Sequence, residues 1–194
     1  MLTEEEKREL LVVARDAITN TLRQKPVLHR ASTFPGLQQK RGVFVTLRID
    51  HDLRGCIGYI EPLRPLGEVV SEVAVKAATE DPRFSPLTLF ELDRTTIEIS
   101  VLSPLHEISS VEEIEVGTHG LVLELGGMRG LLLPQVATEY HWKREMFLEA
   151  VSRKAGLPPD AWQNPEVRMY VFTAEVVQPT PPKPERGEEA DVLM

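Results

Sequence analysis

Thr3 and Glu6 stand at capping-box spacing ahead of a run in which Leu10, Leu11, Ala14, Ala17, Ile18 and Leu22 recur at helical intervals. An amphipathic helix is predicted over residues 3–24. Pro26 and Pro35-Gly36 bound a loop, after which the period changes to two: Val43, Val45, Leu47 and Ile49 alternate with Phe44, Thr46 and Arg48, the mark of a strand. Asp50-His51-Asp52 is short and polar, so residues 53–59 are predicted to return as the antiparallel partner of a hairpin. Pro62 and Pro65 break the chain, and Val69, Val70, Val73, Ala74 and Ala77 form a helical stripe that ends at Asp81-Pro82. Arg83 and Phe84 fall in the loop that follows.

A third strand carries Ile97, Ile99 and Val101 against Glu98, Ser100 and Leu102, and residues 105–114 read as a short acidic helix or turn. Gly126-Gly127 between two apolar runs predicts a second hairpin, because paired glycines tolerate the positive φ of a tight turn. Pro134 is placed to open one long helix through Ala155, with Gly156 as its cap. A last strand is predicted over residues 167–177. Beyond Pro179 the chain is proline and charge, too poor in apolar surface to offset its ordering entropy, so residues 180–194 are predicted to be a disordered tail. Helices interleave with antiparallel hairpins and not with strict βαβ units, which predicts an α+β fold: a mixed or antiparallel sheet with flanking helices, over residues 1–179.

Composition narrows the function classes. A chain of 194 residues with 42% apolar content fits one domain or two intimately packed subdomains. The net charge of −8 disfavours broad affinity for nucleic acid or anionic membrane, both of which need clustered positive charge. Glu4, Glu5, Glu6 and Glu9 are unlike the start of a signal peptide, and no apolar run approaches a membrane span, so a cytoplasmic protein is expected. The single cysteine excludes an internal disulfide. Walker-type loops, His-Glu-x-x-His, Cys-x-x-Cys and Gly-x-Ser-x-Gly are absent, and the five histidines lack ligand spacing; a dedicated metal site is not expected, and the cofactor is left unknown.

The chemistry concentrates in Leu53-Arg54-Gly55-Cys56-Ile57-Gly58. Strand alternation puts Leu53, Gly55, Ile57 and Tyr59 on one face and Asp52, Arg54, Cys56 and Gly58 on the other, so the thiol shares the polar face with a guanidinium that favours thiolate. Gly55 and Gly58 let backbone or ligand come close. Three readings of Cys56 stay open: a small packed thiol, a ligand- or partner-facing group, and a nucleophile or redox thiol. His119, in a glycine-flanked turn, is either an ordinary turn histidine or the base that assists Cys56. Arg54 and Arg83 could form an anion pocket, although Arg83 pairs equally well with Asp81 to hold its loop. Gln135 and Glu139 face the first turns of the predicted long helix and complete the candidate binding set.

Read in order, the hexapeptide at 53–58, Asp81-Pro82-Arg83-Phe84-Ser85-Pro86, Ile97-Glu98-Ile99-Ser100-Val101-Leu102-Ser103-Pro104, Gly117-Thr118-His119-Gly120-Leu121 and Gly130-Leu131-Leu132-Leu133-Pro134-Gln135-Val136-Ala137 resemble the AMMECR family across residues 44–172. The resemblance implies an α+β fold of two subdomains and brings no established activity. It also implies kinship with component A of a three-part prokaryotic set that includes a Memo-like protein and a radical-SAM protein. Members often carry cysteine where this chain has Ser152, so a two-cysteine role is not expected here. The resulting expectation is an accessory or binding protein whose cleft around Arg54, Cys56 and Arg83 recognises a small anion, a peptide end or a partner. The alternative is a thiol enzyme using Cys56 with His119 on a protein or nucleic-acid substrate alongside the radical-SAM partner.

Overall fold

The computed structural model describes residues 1–27, 33–61 and 64–179. The predicted tail at 180–194 lies outside them, as does Pro62. The fold is α+β, built on two antiparallel four-stranded sheets.

The first sheet holds β1 (Val43–Ile49), β2 (Asp52–Tyr59), β3 (Thr95–Leu102) and β8 (Ala174–Val177) in the order β2-β1-β3-β8. Two helices cover one of its faces, α1 (Glu4–Leu22) and α3 (Leu66–Thr79). Thr3 and Glu6 close the predicted capping box, and the Glu6 carboxylate also accepts from Gly36 N at 2.6 Å, tying α1 to the short α2 (Pro35–Gln38). Leu10, Ala14 and Ile18 of α1 and Val70, Val73 and Ala74 of α3 meet Val43, Val45, Leu47, Ile97 and Ile99 in a core that is fully closed to solvent. The period-two and helical patterns in the sequence are the imprint of this one interface.

The second sheet holds β4 (His106–Ile108), β5 (Gly120–Leu125), β6 (Met128–Leu132) and β7 (Arg168–Phe172) in the order β4-β7-β5-β6. It packs on α6 (Arg144–Lys154), burying Phe147, Leu148 and Val151 against Leu121, Leu123 and Val171. A third apolar cluster, Leu102, Val122 and Phe172 with Phe44 and Leu131 against it, joins the two halves.

Three elements differ from the prediction. The long helix is two, α5 (Pro134–Glu139) and α6, because His141 takes φ 52° and closes a Schellman motif: Trp142 N donates to Ala137 O and His141 N to Thr138 O. The last strand is also two, since the chain leaves the second sheet after Phe172 and enters the first at Ala174. Ser103 and Thr173 clamp the crossing through Ser103 N to Thr173 O at 2.9 Å and Thr173 N to Ser103 Oγ at 3.0 Å. The acidic segment at 105–114 supplies strand β4 before a single 3₁₀ turn at Val111–Glu113. Both predicted hairpins form, with positive φ at Asp50 and His51 in one and at Gly126 and Gly127 in the other.

Candidate functional site

The face of the first sheet turned away from α1 and α3 carries the polar residues that the alternation leaves outside the core. In register, Thr46 of β1 lies between Cys56 of β2 and Glu98 of β3, so a thiol, a hydroxyl and a carboxylate form a row across three strands. Thr46 Oγ1 and Cys56 Sγ are 3.3 Å apart. One step along β3, Ser100 is buried opposite Phe44. Gln135, at the start of α5, reaches down onto this row: its Nε2 donates to Ser100 Oγ at 2.9 Å and to Glu98 Oε1 at 3.4 Å. Its Oε1 is buried and receives no hydrogen bond from the described residues, a state that costs about 1–3 kcal/mol. Turning the amide over would aim that carbonyl at the Glu98 carboxylate, so charge fixes the orientation. A groove of about 470 Å³ opens beside Gln135, between α5 and β8, with Thr138, Glu139, Ala174 and Val176 on its walls.

At the other end of the row the loop after α3 clasps β2. Cys56 N donates to Asp81 Oδ2 at 2.8 Å, and Arg83 donates to the same carboxylate through Nε and Nη2 at 2.9 and 2.7 Å. Arg83 Nη2 also reaches Cys56 O at 3.4 Å. Asp81 is buried, and the Arg83 guanidinium holds its carboxyl well below the usual carboxylate range, with the Cys56 and Arg83 amides assisting.

Cys56 and Arg83 are therefore neighbours, and Arg54 joins them only indirectly. A β-bulge falls at this point: Gly55 pairs with Leu47 but Leu53 with Arg48, leaving Arg54 as the extra residue. Strict alternation fails there, Leu53 shares the face of Cys56, and Arg54 is re-aimed toward the α3 to α4 loop, α4 being Leu89–Leu92. It donates to both Glu91 oxygens, at 2.9 and 3.3 Å, and to Ser85 O and Pro86 O, while the Phe84 ring lies 5.9 Å from its guanidinium and 5.5 Å from that of Arg83. The Arg54 bond holds the Glu91 carboxyl down to about 2. Each arginine thus meets a carboxylate.

The glycines serve packing. A Cβ on Gly55 would sit 2.1 Å from Ala77 O of α3, and one on Gly58 2.3 Å from the Phe44 ring. Glu139 faces Arg48 at 3.8 Å and lines the groove beside Gln135. His119 stands elsewhere: its Nδ1 accepts from Glu115 N at 3.2 Å, and it shares a separate hollow with Ser103, His106 and Glu113. No hydrogen bond links it to Cys56 among the described residues. Ser152 is buried in the α6 core and donates to Leu148 O at 2.9 Å.

Partial burial pushes Cys56 up, and although Thr46 and Arg83 pull it down, Asp81 and Glu98 oppose them. Alkylation of the native protein by iodoacetamide should therefore show an inflection above the free-thiol value of about 8.5. Arg83→Gln should raise it further and His119→Ala should leave it in place. An inflection below that of the unfolded chain would overturn this account.

A model of the AMMECR1 family matches residues 11–177. The chain belongs to the AMMECR1 family. It is 47% identical over 182 residues to a protein of Methanothermobacter thermautotrophicus, covering 90% of this chain and 95% of that one. Against a Methanocaldococcus jannaschii protein the identity is 43% over 197 residues, covering 97% and 96%. The crystal structure of an uncharacterized Pyrococcus horikoshii protein matches with a TM-score of 0.86 at 41% identity, over 90% of this chain and 92% of that one. None of these relatives brings a defined activity. Among the described residues no helix is long and apolar enough to cross a membrane, and no His, Cys, Asp and Glu cluster is suited to a metal ion.

Thr46, Glu98 and Ser100 were not singled out from the sequence. The signal was present in the off-core phase of β1 and β3, where each interrupts an apolar alternation with a polar side chain.

Proposed function

We propose that this AMMECR1-family chain is a binding component, with the trough across Cys56, Thr46, Glu98, Ser100 and Gln135 as the seat of a small polar ligand or a peptide end. The buried carbonyl of Gln135, without a partner among the described residues, carries the reading: it is an unmet hydrogen-bonding demand beside an open groove. The thiol-enzyme alternative has less support, because burial pushes the Cys56 thiol up and His119 is bonded to Glu115 in another hollow. In the binding reading the protein acts as an accessory to the Memo-like and radical-SAM proteins that the family resemblance implies.

The test is a titration of ¹⁵N-labelled protein with small probes of both signs: acetate, inorganic phosphate and glycinamide. At least one should shift the amides of Thr46, Cys56, Glu98 and Gln135 together and saturably. Shifts scattered over the surface, or none for any probe, would overturn the proposal.

A further inference from the structure

We infer that the trough takes a ligand bearing a protonated primary amine, seated where Glu98 and Ser100 converge. This rests on the binding reading above and names the chemistry of its ligand. Glu98 is the half-buried charge on the row that is left without a countercharge: among the described residues it forms no ion pair, and the one hydrogen bond to its carboxylate is the 3.4 Å contact from Gln135 Nε2. The arginines on this side of the sheet are engaged, Arg83 by Asp81 and Arg48 by Glu139, and the bulge turns Arg54 away to Glu91. An anion placed on the row would meet a carboxylate and gain no unpaired cation.

The Gln135 amide marks the position. Its neutral NH₂ fills the point between two acceptors, Ser100 Oγ and the Glu98 carboxylate, while its own carbonyl goes without a donor. An ammonium group brings three donors and one positive charge. Placed at that point it satisfies Glu98 and Ser100 with two N–H bonds, and the displaced Gln135 can turn its carbonyl to accept the third. The carboxylate then has a countercharge and the Gln135 carbonyl a donor, the displaced Gln135 NH₂ turns toward the open groove, and the rest of the ligand leaves through that groove between α5 and β8, past Ala174 and Val176.

The source of the amine, a peptide N-terminus or a free alkylamine, is separated by the probes. Glycinamide and n-butylammonium are titrated at neutral pH beside the uncharged N-acetylglycinamide and acetate, with the amides of Thr46, Glu98 and Gln135 as the readout. Both ammonium compounds should bind in the trough, N-acetylglycinamide and acetate more weakly by about tenfold or more, the worth of a charge-assisted hydrogen bond. Tighter binding of glycinamide than of n-butylammonium would assign a peptide end, and the reverse an alkylamine. Glu98→Gln should weaken both by a similar factor while its melting temperature stays near that of the parent, since Glu98 is only half-buried and unpaired in charge. Trough binding by acetate with silent ammonium probes overturns the amine inference and leaves the binding reading standing. Full affinity in Glu98→Gln also overturns it. Silence from every probe overturns both.

Discussion

Gly55→Ala is expected to lower folding stability by about 3 kcal/mol or more, at the upper end of overpacking costs, and the melting temperature by roughly 6–12 °C for a chain of this size. The added methyl would lie 2.1 Å from Ala77 O and 3.1 Å from its carbonyl carbon. Both are main-chain atoms of α3, so no side-chain rotation relieves the contact. Relief requires α3 to lift from the sheet, and α3 carries Val70, Val73, Ala74 and Ala77 into the largest core. Gly126→Ala is the control: nothing lies within 4 Å of its Cβ, and the cost is the positive φ of 58°, about 1 kcal/mol. Urea unfolding of the two variants separates clash from turn strain. A cost for Gly55→Ala no larger than that for Gly126→Ala would mean that the helix does not rest on β2 as described. Because the bulge that re-aims Arg54 adjoins Gly55, the same substitution should also disturb the amide environment of Cys56.

The parts of this arrangement that could be read from the chain are those written in local chemistry. Thr3 and Glu6 announce the first helix, Gly126-Gly127 the second hairpin, and the alternation through 43–49 and 97–101 the sheet beneath α1 and α3. Two boundaries were hidden for identifiable reasons. A Schellman stop normally shows as glycine, as it does at Gly156 with φ 77°, whereas His141 occupies the same left-handed position after α5 and leaves no such mark. The change of sheet at Thr173 is invisible because the apolar pattern continues through it; only the pairing partners change, from Gly120 opposite Phe172 to Leu102 opposite Ala174.

The site was legible at one end. Cys56, Arg83 and Asp81 stand close, as the loop after the second helix suggested, but the bulge turned Arg54 away and the second sheet carried His119 to another hollow. Thr46 and Glu98 become neighbours of Cys56 only through strand register, which is a property of pairing and is not written at any single position. Gln135 joins them because Pro134 starts a helix over that face, a long-range consequence of how the second sheet docks through Leu102, Val122 and Phe172.

Asp81→Asn is expected to remove about 3 kcal/mol of stability at neutral pH and to flatten the acid limb of the stability curve. Asp81 is 4% exposed and holds the Cys56 amide together with the Arg83 guanidinium, so it joins β2 to the loop leaving α3. Asparagine keeps an acceptor for the Cys56 N–H and loses the ion pair; the half-exposed Arg83 side chain can turn to water, which keeps the loss at the lower end of the range for a broken buried pair. The carboxyl is depressed in the folded protein relative to an unfolded value of about 3.9. Its contribution is therefore complete above about pH 4 and is lost as the pH falls through the folded value, where both states hold the proton. Glu91 and Glu72, each held near 2 by its own basic partners, add to the acid slope of the parent and remain in the variant. The difference between parent and Asp81→Asn isolates Asp81: urea midpoints measured from pH 7 down to 2 should lie furthest apart at neutral pH and converge below pH 4. Curves that stay parallel across that window would show that Asp81 carries no depressed charge, and that the clasp between β2 and its loop is held by packing alone.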